Sequence, residues 1–164
     1  MIESLPTKDD LRAMSVALTE ARAALAHGDV PVGAVVMRDG EVISRRHNER
    51  ELSNDPTAHA ELLAIRDAAN VLQSWRLDGC TLVVSLEPCV MCAGSIWSAR
   101  VPRLVFGAAD PKAGATGTLY NIATDTRLNH QSDVIRGVMA QESTDLLKNF
   151  FQSHRNGPSD SAGR

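Results

Sequence analysis

Cys89 and Cys92 stand three residues apart in the stretch Ser85-Leu86-Glu87-Pro88-Cys89-Val90-Met91-Cys92, and they are two of only three cysteines in the chain. At the start of a helix, residues three apart share one face, and the positive end of the helix dipole favours the thiolates that bind metal. Pro88 suits such a helix start. Two thiolates cannot close the tetrahedral shell of a zinc ion, so a metal site needs donors from elsewhere in the chain. Alone, the pair reads equally well as two small buried residues or as a redox couple.

His59 is the expected further donor, because it sits at the mouth of a second helix as Cys89 sits at the mouth of the first. Cys80 is not: the strand from Cys80 to Leu86 covers roughly 20 Å, which puts this cysteine at the wrong end as a small buried residue. His47 and His130 lie in expected loops without ligand spacing to another cysteine or histidine, and they stay open as donors. Three protein ligands and one position for water is the catalytic pattern. Glu61 follows His59 by two residues, and helical positions two apart point about 200° away from each other. His59 must therefore sit at the loop junction, with Glu61 in the first turn. An acidic residue there is ordinary helix chemistry, but beside an activated water it becomes a proton shuttle.

The elements that position these residues follow from periodicity and turn chemistry. Leu11, Met14, Leu18, Ala21 and Leu25 form a helical stripe over Lys8 to His27, and Gly28 ends it. Val30 to Met37 and Glu41 to Ser44 read as two strands around an Asp39-Gly40 turn. A polar loop from His47 to Asp55 leads past Pro56 into a helix with Ala58, Leu62, Ile65, Ala69 and Leu72 on one face. A strand over Cys80 to Leu86, a helix over Val90 to Ala99 and a strand over Arg103 to Phe106 come next, then a glycine-rich loop from Gly107 to Gly117. Val134 to Val138 is a short strand, and Gln141 to Ser153 a final helix with Leu146, Leu147, Phe150 and Phe151 on its apolar side. The order predicts an α/β fold with helices on both faces of a sheet.

The chain of 164 residues is the size of one domain, expected over residues 1–155, with a flexible tail over residues 156–164 rich in Gly, Pro and Ser. A hydrophobic share of 43% and a charged share of 23% are those of a soluble globular protein. The net charge of −3 argues against a wholly basic nucleic-acid-binding surface while leaving room for a local basic patch. No apolar run reaches membrane-span length, the start Met1-Ile2-Glu3-Ser4 lacks the pattern of a signal peptide, and three cysteines suit a reducing compartment, so a cytoplasmic location without membrane partners is expected.

His59-Ala60-Glu61 and Pro88-Cys89-Val90-Met91-Cys92 together form the H-x-E and P-C-x-x-C signature of zinc-dependent nucleobase deaminases. Asp29 to Ala34, Asp55 to Glu61, Cys89 to Gly94 and Leu128-Asn129-His130 closely resemble the bacterial tRNA-specific adenosine deaminases, and the likeness runs from about Leu11 to Phe151. The resemblance implies a three-layer cytidine-deaminase-like fold with a five-stranded mixed sheet. It also implies a homodimer, one zinc ion per subunit on His59, Cys89 and Cys92, and conversion of adenosine to inosine at the wobble position of a tRNA anticodon stem-loop. Zinc would make hydroxide available for attack at C6, and Glu61 would carry protons to N1 and to the departing ammonia.

For the substrate, the resemblance implies that Asn48 hydrogen-bonds the purine, that the Ala60 amide meets the base edge, and that Val30 and Leu86 wall the pocket. Asp110, Asn129 and His130 are candidates for contacts to flanking nucleotides, or are ordinary turn residues. The chain departs from the family at Ala109, Gln131 and Gln152, where basic residues are frequent, and loses charge that could pair with phosphate. Two other readings stand beside the first: a deaminase of a free base or nucleoside such as guanine or cytosine, and a non-catalytic RNA-binding module stabilised by zinc.

Overall fold

A computed structural model of the chain describes residues 4–156. Apart from Asn156, the expected tail lies outside the described residues. The elements are α1 (Lys8–Ala23), β1 (Gly33–Arg38), β2 (Glu41–His47), α2 (Arg50–Ser53), α3 (Ala60–Leu72), β3 (Cys80–Leu86), α4 (Val90–Ser98), β4 (Arg103–Ala108), β5 (Asp133–Ile135) and α5 (Ala140–Arg155). The strands form one mixed sheet in the order β2-β1-β3-β4-β5. β1 pairs antiparallel with β2 and β3, whereas β3, β4 and β5 run parallel, joined first by the α4 crossover.

Asp39 and Gly40 both take left-handed backbone angles, φ 52° and 77°, as a tight hairpin between β1 and β2 requires. Alternation along the strands divides the core into two layers. Ala34, Val36, Leu82, Val84, Leu104 and Phe106 face α3 and α4, while Val35, Met37, Val83, Val105 and Ile135 face α1. Helices therefore cover both faces, and α5 lies beside α1. Gly33 permits the close approach of α1, because a Cβ there would lie 1.8 Å from the carbonyl oxygen of Ala17.

Several expectations about helix faces need correction. On α1 the buried side is Asp10, Ala13, Met14, Ala17, Leu18 and Ala21, and the outer members of the expected stripe, Leu11 and Leu25, are exposed. On α3 the buried residues are Ala60, Glu61, Leu63, Ala64, Ile65 and Ala68; of the expected face, Ala58 and Ile65 are buried, Ala69 and Leu72 pack half-buried against the core, and Leu62 is half-buried beside the more deeply buried Leu63. Alanines share these faces with a few large side chains because the helices pack closely on the sheet, so that small residues are buried beside Met14, Leu18, Leu63 and Ile65. The loop before α3 contains the single turn of α2, β4 runs on to Ala108, and β5 begins at Asp133. Phe151 on α5 is exposed, and Phe150 is the buried aromatic.

The start of α1 is tied to β4 by a buried charge pair. Thr7 and Asp10 form a capping box, and the Asp10 carboxylate accepts hydrogen bonds from both terminal nitrogens of Arg103, at 2.5 and 2.7 Å. Burial alone would push the Asp10 carboxyl up, but its bonds from Arg103 and Thr7 hold it below the usual aspartate range. Its contribution to stability is thus full above the unfolded-state value and fades as pH falls through the lower folded-state value. Asp10→Asn is expected to lower unfolding free energy by about 2 to 3 kcal/mol at pH 7, with the difference from wild type shrinking below about pH 4. Urea melts at both pH values check this.

Candidate metal centre

The register places the start of β1, the end of β2 and the ends of β3 and β4 at one end of the sheet, since Gly33 pairs with His47, Ala34 with Val84, and Leu86 with Ala108. Helices α3 and α4 both begin there. His59 is the N-cap of α3 and Cys89 the N-cap of α4, each with extended backbone and neither using its side chain to cap. Ser, Thr, Asp or Asn would normally occupy such positions and bond to the first turn. Here the two side chains turn toward each other instead. His59 Nδ1 lies 3.6 Å from the sulfurs of both Cys89 and Cys92, and the three donor atoms fall within 4.8 Å of one another, so this group could hold a metal ion.

Burial and close contact shift the two thiols in opposite directions. Hydrogen bonding from Cys92, reinforced by His59, brings the Cys89 thiol down to about 4 despite its burial. The same contact with Cys89, together with burial, pushes Cys92 strongly up. His59 is raised by its bond to Cys89. Glu61, in the first turn of α3, is only 3% exposed, and burial lifts its carboxyl to about 7.

Cys80 sits beside Arg38 at the far end of β3, buried in the core. His47 Nδ1 is 2.8 Å from Glu20 Oε2, away from the three donors. His130 donates through Nε2 to the carbonyl of Val101, just before β4 and so at the opposite end of the sheet. The chain must return there because β5 is parallel to β4. Neither His130 nor its exposed neighbour Asn129 is therefore brought to the metal centre of its own chain.

The expected base contacts fare unevenly. The Ala60 amide, expected at the base edge, donates instead to Asn48 Oδ1 at 2.9 Å. An amide in the first turn of a helix has no partner within the helix, and the buried Asn48 supplies one. That bond fixes the orientation of the Asn48 side chain, with Nδ2 as its remaining donor group. Val30 and the half-buried Leu86 pack against the same core layer. Asp110 uses its carboxylate to accept from the amides of Lys112 and Ala113, which shapes its own loop. Alongside the metal centre, rather than over it, lies an open groove of about 520 Å³ lined by Asp29, Val30, Asn48, Arg50, Phe150 and His154 among others.

Two buried carboxylates escaped the sequence reading. Asp29 accepts from His27 and from the amides of Glu51 and Leu52, pinning α2 beside Asn48. Glu87 lies two residues before Cys89 and gathers bonds from the loop after β4. For Glu87 the signal in the sequence was an acidic residue directly after the apolar strand β3, where a carboxylate is buried and needs partners; Asp29, between a helix end and β1, carried no such signal.

The pattern of the MafB19-like deaminase family matches residues 8–155. The chain belongs to this deaminase family. Within it, the chain is 48% identical over 149 residues to the tRNA-specific adenosine deaminase of Bacillus subtilis, covering 91% of this chain and 92% of that one. A solved structure from work on A-to-I editing by tRNA:A34 deaminases at the wobble position shares 44% identity and superposes with a TM-score of 0.80 over 83% of this chain and 99% of that one. A guanine deaminase from Nitrosomonas europaea has a TM-score of 0.75 at 26% identity, covering 89% and 85% of the two chains.

Metal content follows from the donor set. His59→Ala and Cys92→Ser are each expected to reduce metal bound per chain at least about tenfold, whereas Glu61→Gln retains it. Elemental analysis of the purified variants, with folding checked by circular dichroism, makes the comparison.

Proposed function

We propose that this chain hydrolyses adenosine to inosine and ammonia at the wobble position of a tRNA anticodon, with zinc held by His59, Cys89 and Cys92. The observation that carries the reading is the three-donor group with the buried Glu61 in the first turn of α3 beside it, in a chain whose relatives are tRNA-specific adenosine deaminases. The donor spacing supports zinc: tetrahedral bonds of about 2.3 Å to sulfur and about 2.0 Å to nitrogen separate those two atoms by about 3.5 Å, and the structure has 3.6 Å. Among the described residues the group has three members, which leaves a fourth position for water and opposes the reading as a merely structural zinc module.

Zinc, when bound, supplies a Lewis acid that makes water nucleophilic near neutral pH. Glu61 takes one proton of the water attacking C6 and delivers it to N1, then takes the second from the hydroxyl formed at C6 and passes it to N6, so that the C6–N6 bond breaks and ammonia departs. A carboxyl poised near neutrality can both accept and donate, which is what such a shuttle needs. Asn48 Nδ2 donates to a ring nitrogen of the purine, while Val30 and Leu86 hold its faces away from water. The target base must leave its stack, and an unpaired anticodon loop permits this cheaply.

The Nitrosomonas europaea relative supports a second reading, deamination of a free base such as guanine. The higher identity to tRNA-specific relatives favours RNA. Inosine formation in an anticodon stem-loop, set against ammonia release from guanine and cytosine, separates the two. Such an enzyme works where tRNA is, in the cytoplasm. A homodimer is the proposed assembly, supported by the exposed apolar side chains of Val90, Leu119 and Tyr120 near the start of α4; light scattering should return about twice the chain mass of 17.7 kDa.

Glu61→Ala is expected to keep its zinc and fold while losing about 10² to 10⁴ in kcat. Mass spectrometry of digested stem-loop RNA measures it. Turnover near the wild-type rate would remove Glu61 from the mechanism.

A further inference from the structure

We infer that Glu87 is a positioning residue that fixes the loop over residues 110–118 against the turn that carries Cys89, and so governs how firmly RNA is held rather than the rate of bond cleavage. The inference rests on the proposed tRNA reaction. Glu87 is 2% exposed. Its carboxylate accepts from the amides of Asp110 at 3.0 Å, Thr116 at 3.2 Å and Thr118 at 3.0 Å, and from the Thr118 hydroxyl.

The geometry resembles a core more than a surface contact. A Cβ on Gly114 would lie 2.4 Å from Glu87 Oε2, so the loop wraps the carboxylate too closely for any larger residue at that point. Between β4 and β5 the chain forms no helix or longer strand, only an isolated bridge from Thr116 to Asn121. A segment of that length without regular structure takes its shape from such anchors. Glu87 also belongs to the turn that carries Cys89: its own amide bonds to Ala108, and the carbonyl of Pro88 accepts from Ala115 at 2.8 Å. One turn thus delivers a metal ligand on one side and holds the loop with Asp110 and Lys112 on the other. An uncharged amide in place of the carboxylate would present N–H groups to donors that need an acceptor, and the loop would come free.

Zinc-loaded Glu87→Gln and Thr118→Val should test this against wild type. Expected for Glu87→Gln are unchanged zinc content, amide hydrogen exchange at Asp110, Thr116 and Thr118 faster by about tenfold or more, and KM for the anticodon stem-loop raised about tenfold with kcat within about threefold. Thr118→Val, which loses only the hydroxyl bond, should shift KM the same way by about threefold. Protected loop amides in Glu87→Gln, or a loss confined to kcat, overturns the inference. So does loss of zinc from this variant with Thr118→Val indistinguishable from wild type. Wild type that forms no inosine would count against the tRNA reading instead, while the exchange measurement would still decide the role of Glu87.

Discussion

Two helices that start at the same end of one sheet set the terms for everything else in this chain. β1 and β3 are antiparallel neighbours, and β3 and β4 parallel ones. The connections through α3 and α4 therefore both begin where β2 and β3 end, on the same face. Their first turns carry unpaired amides and the positive ends of two helix dipoles. His59 and Cys89 occupy the two N-cap positions and leave the capping to others. For α3 the substitute is Asn48, whose side chain accepts from Ala60. Releasing the caps is what allows an imidazole and two sulfurs to meet in a partly buried space where the helix dipoles favour a thiolate.

Buried carboxylates make the contrast that sets Glu61 apart. Asp10, Asp29, Glu61 and Glu87 are all at most 3% exposed. Three of them are held ionised by several donors and pushed below their usual range despite burial: Asp10 by Thr7 and Arg103, Asp29 by two amides and His27, Glu87 by the loop after β4. Each of those ties two segments together. Glu61 alone is raised, because burial outweighs its few partners. A carboxyl left short of donors in a folded interior costs stability, and such groups gather where protons are moved.

Base recognition is built from the same economy of contacts. Asn48 satisfies the start of α3 with its oxygen, and in the proposed reaction its nitrogen would meet the base. Asp29 holds the neighbouring turn of α2, and the open groove with Arg50, Phe150 and His154 extends from there. On a chain whose net charge is −3, RNA affinity depends on such local placement of cations rather than on an overall attraction.

The residue types and spacings by themselves determined the chemistry: two cysteines one turn apart, a histidine two residues before a glutamate, and strand and helix periods that implied a layered α/β domain. The hairpin at Asp39-Gly40 and the span of β3 were legible for the same reason, since both rest on local backbone preferences. Only the tertiary structure decided which faces of α1 and α3 are buried, because close packing on the sheet selects alanines that a hydrophobic stripe undervalues. It also decided that the Ala60 amide serves Asn48, that His130 anchors the opposite end of the sheet, and that Glu87 organises the loop after β4. Those are contacts between residues 12, 29 and 23 to 31 positions apart, and a hydrogen bond across such a distance is set by how the chain closes on itself, which no local pattern records.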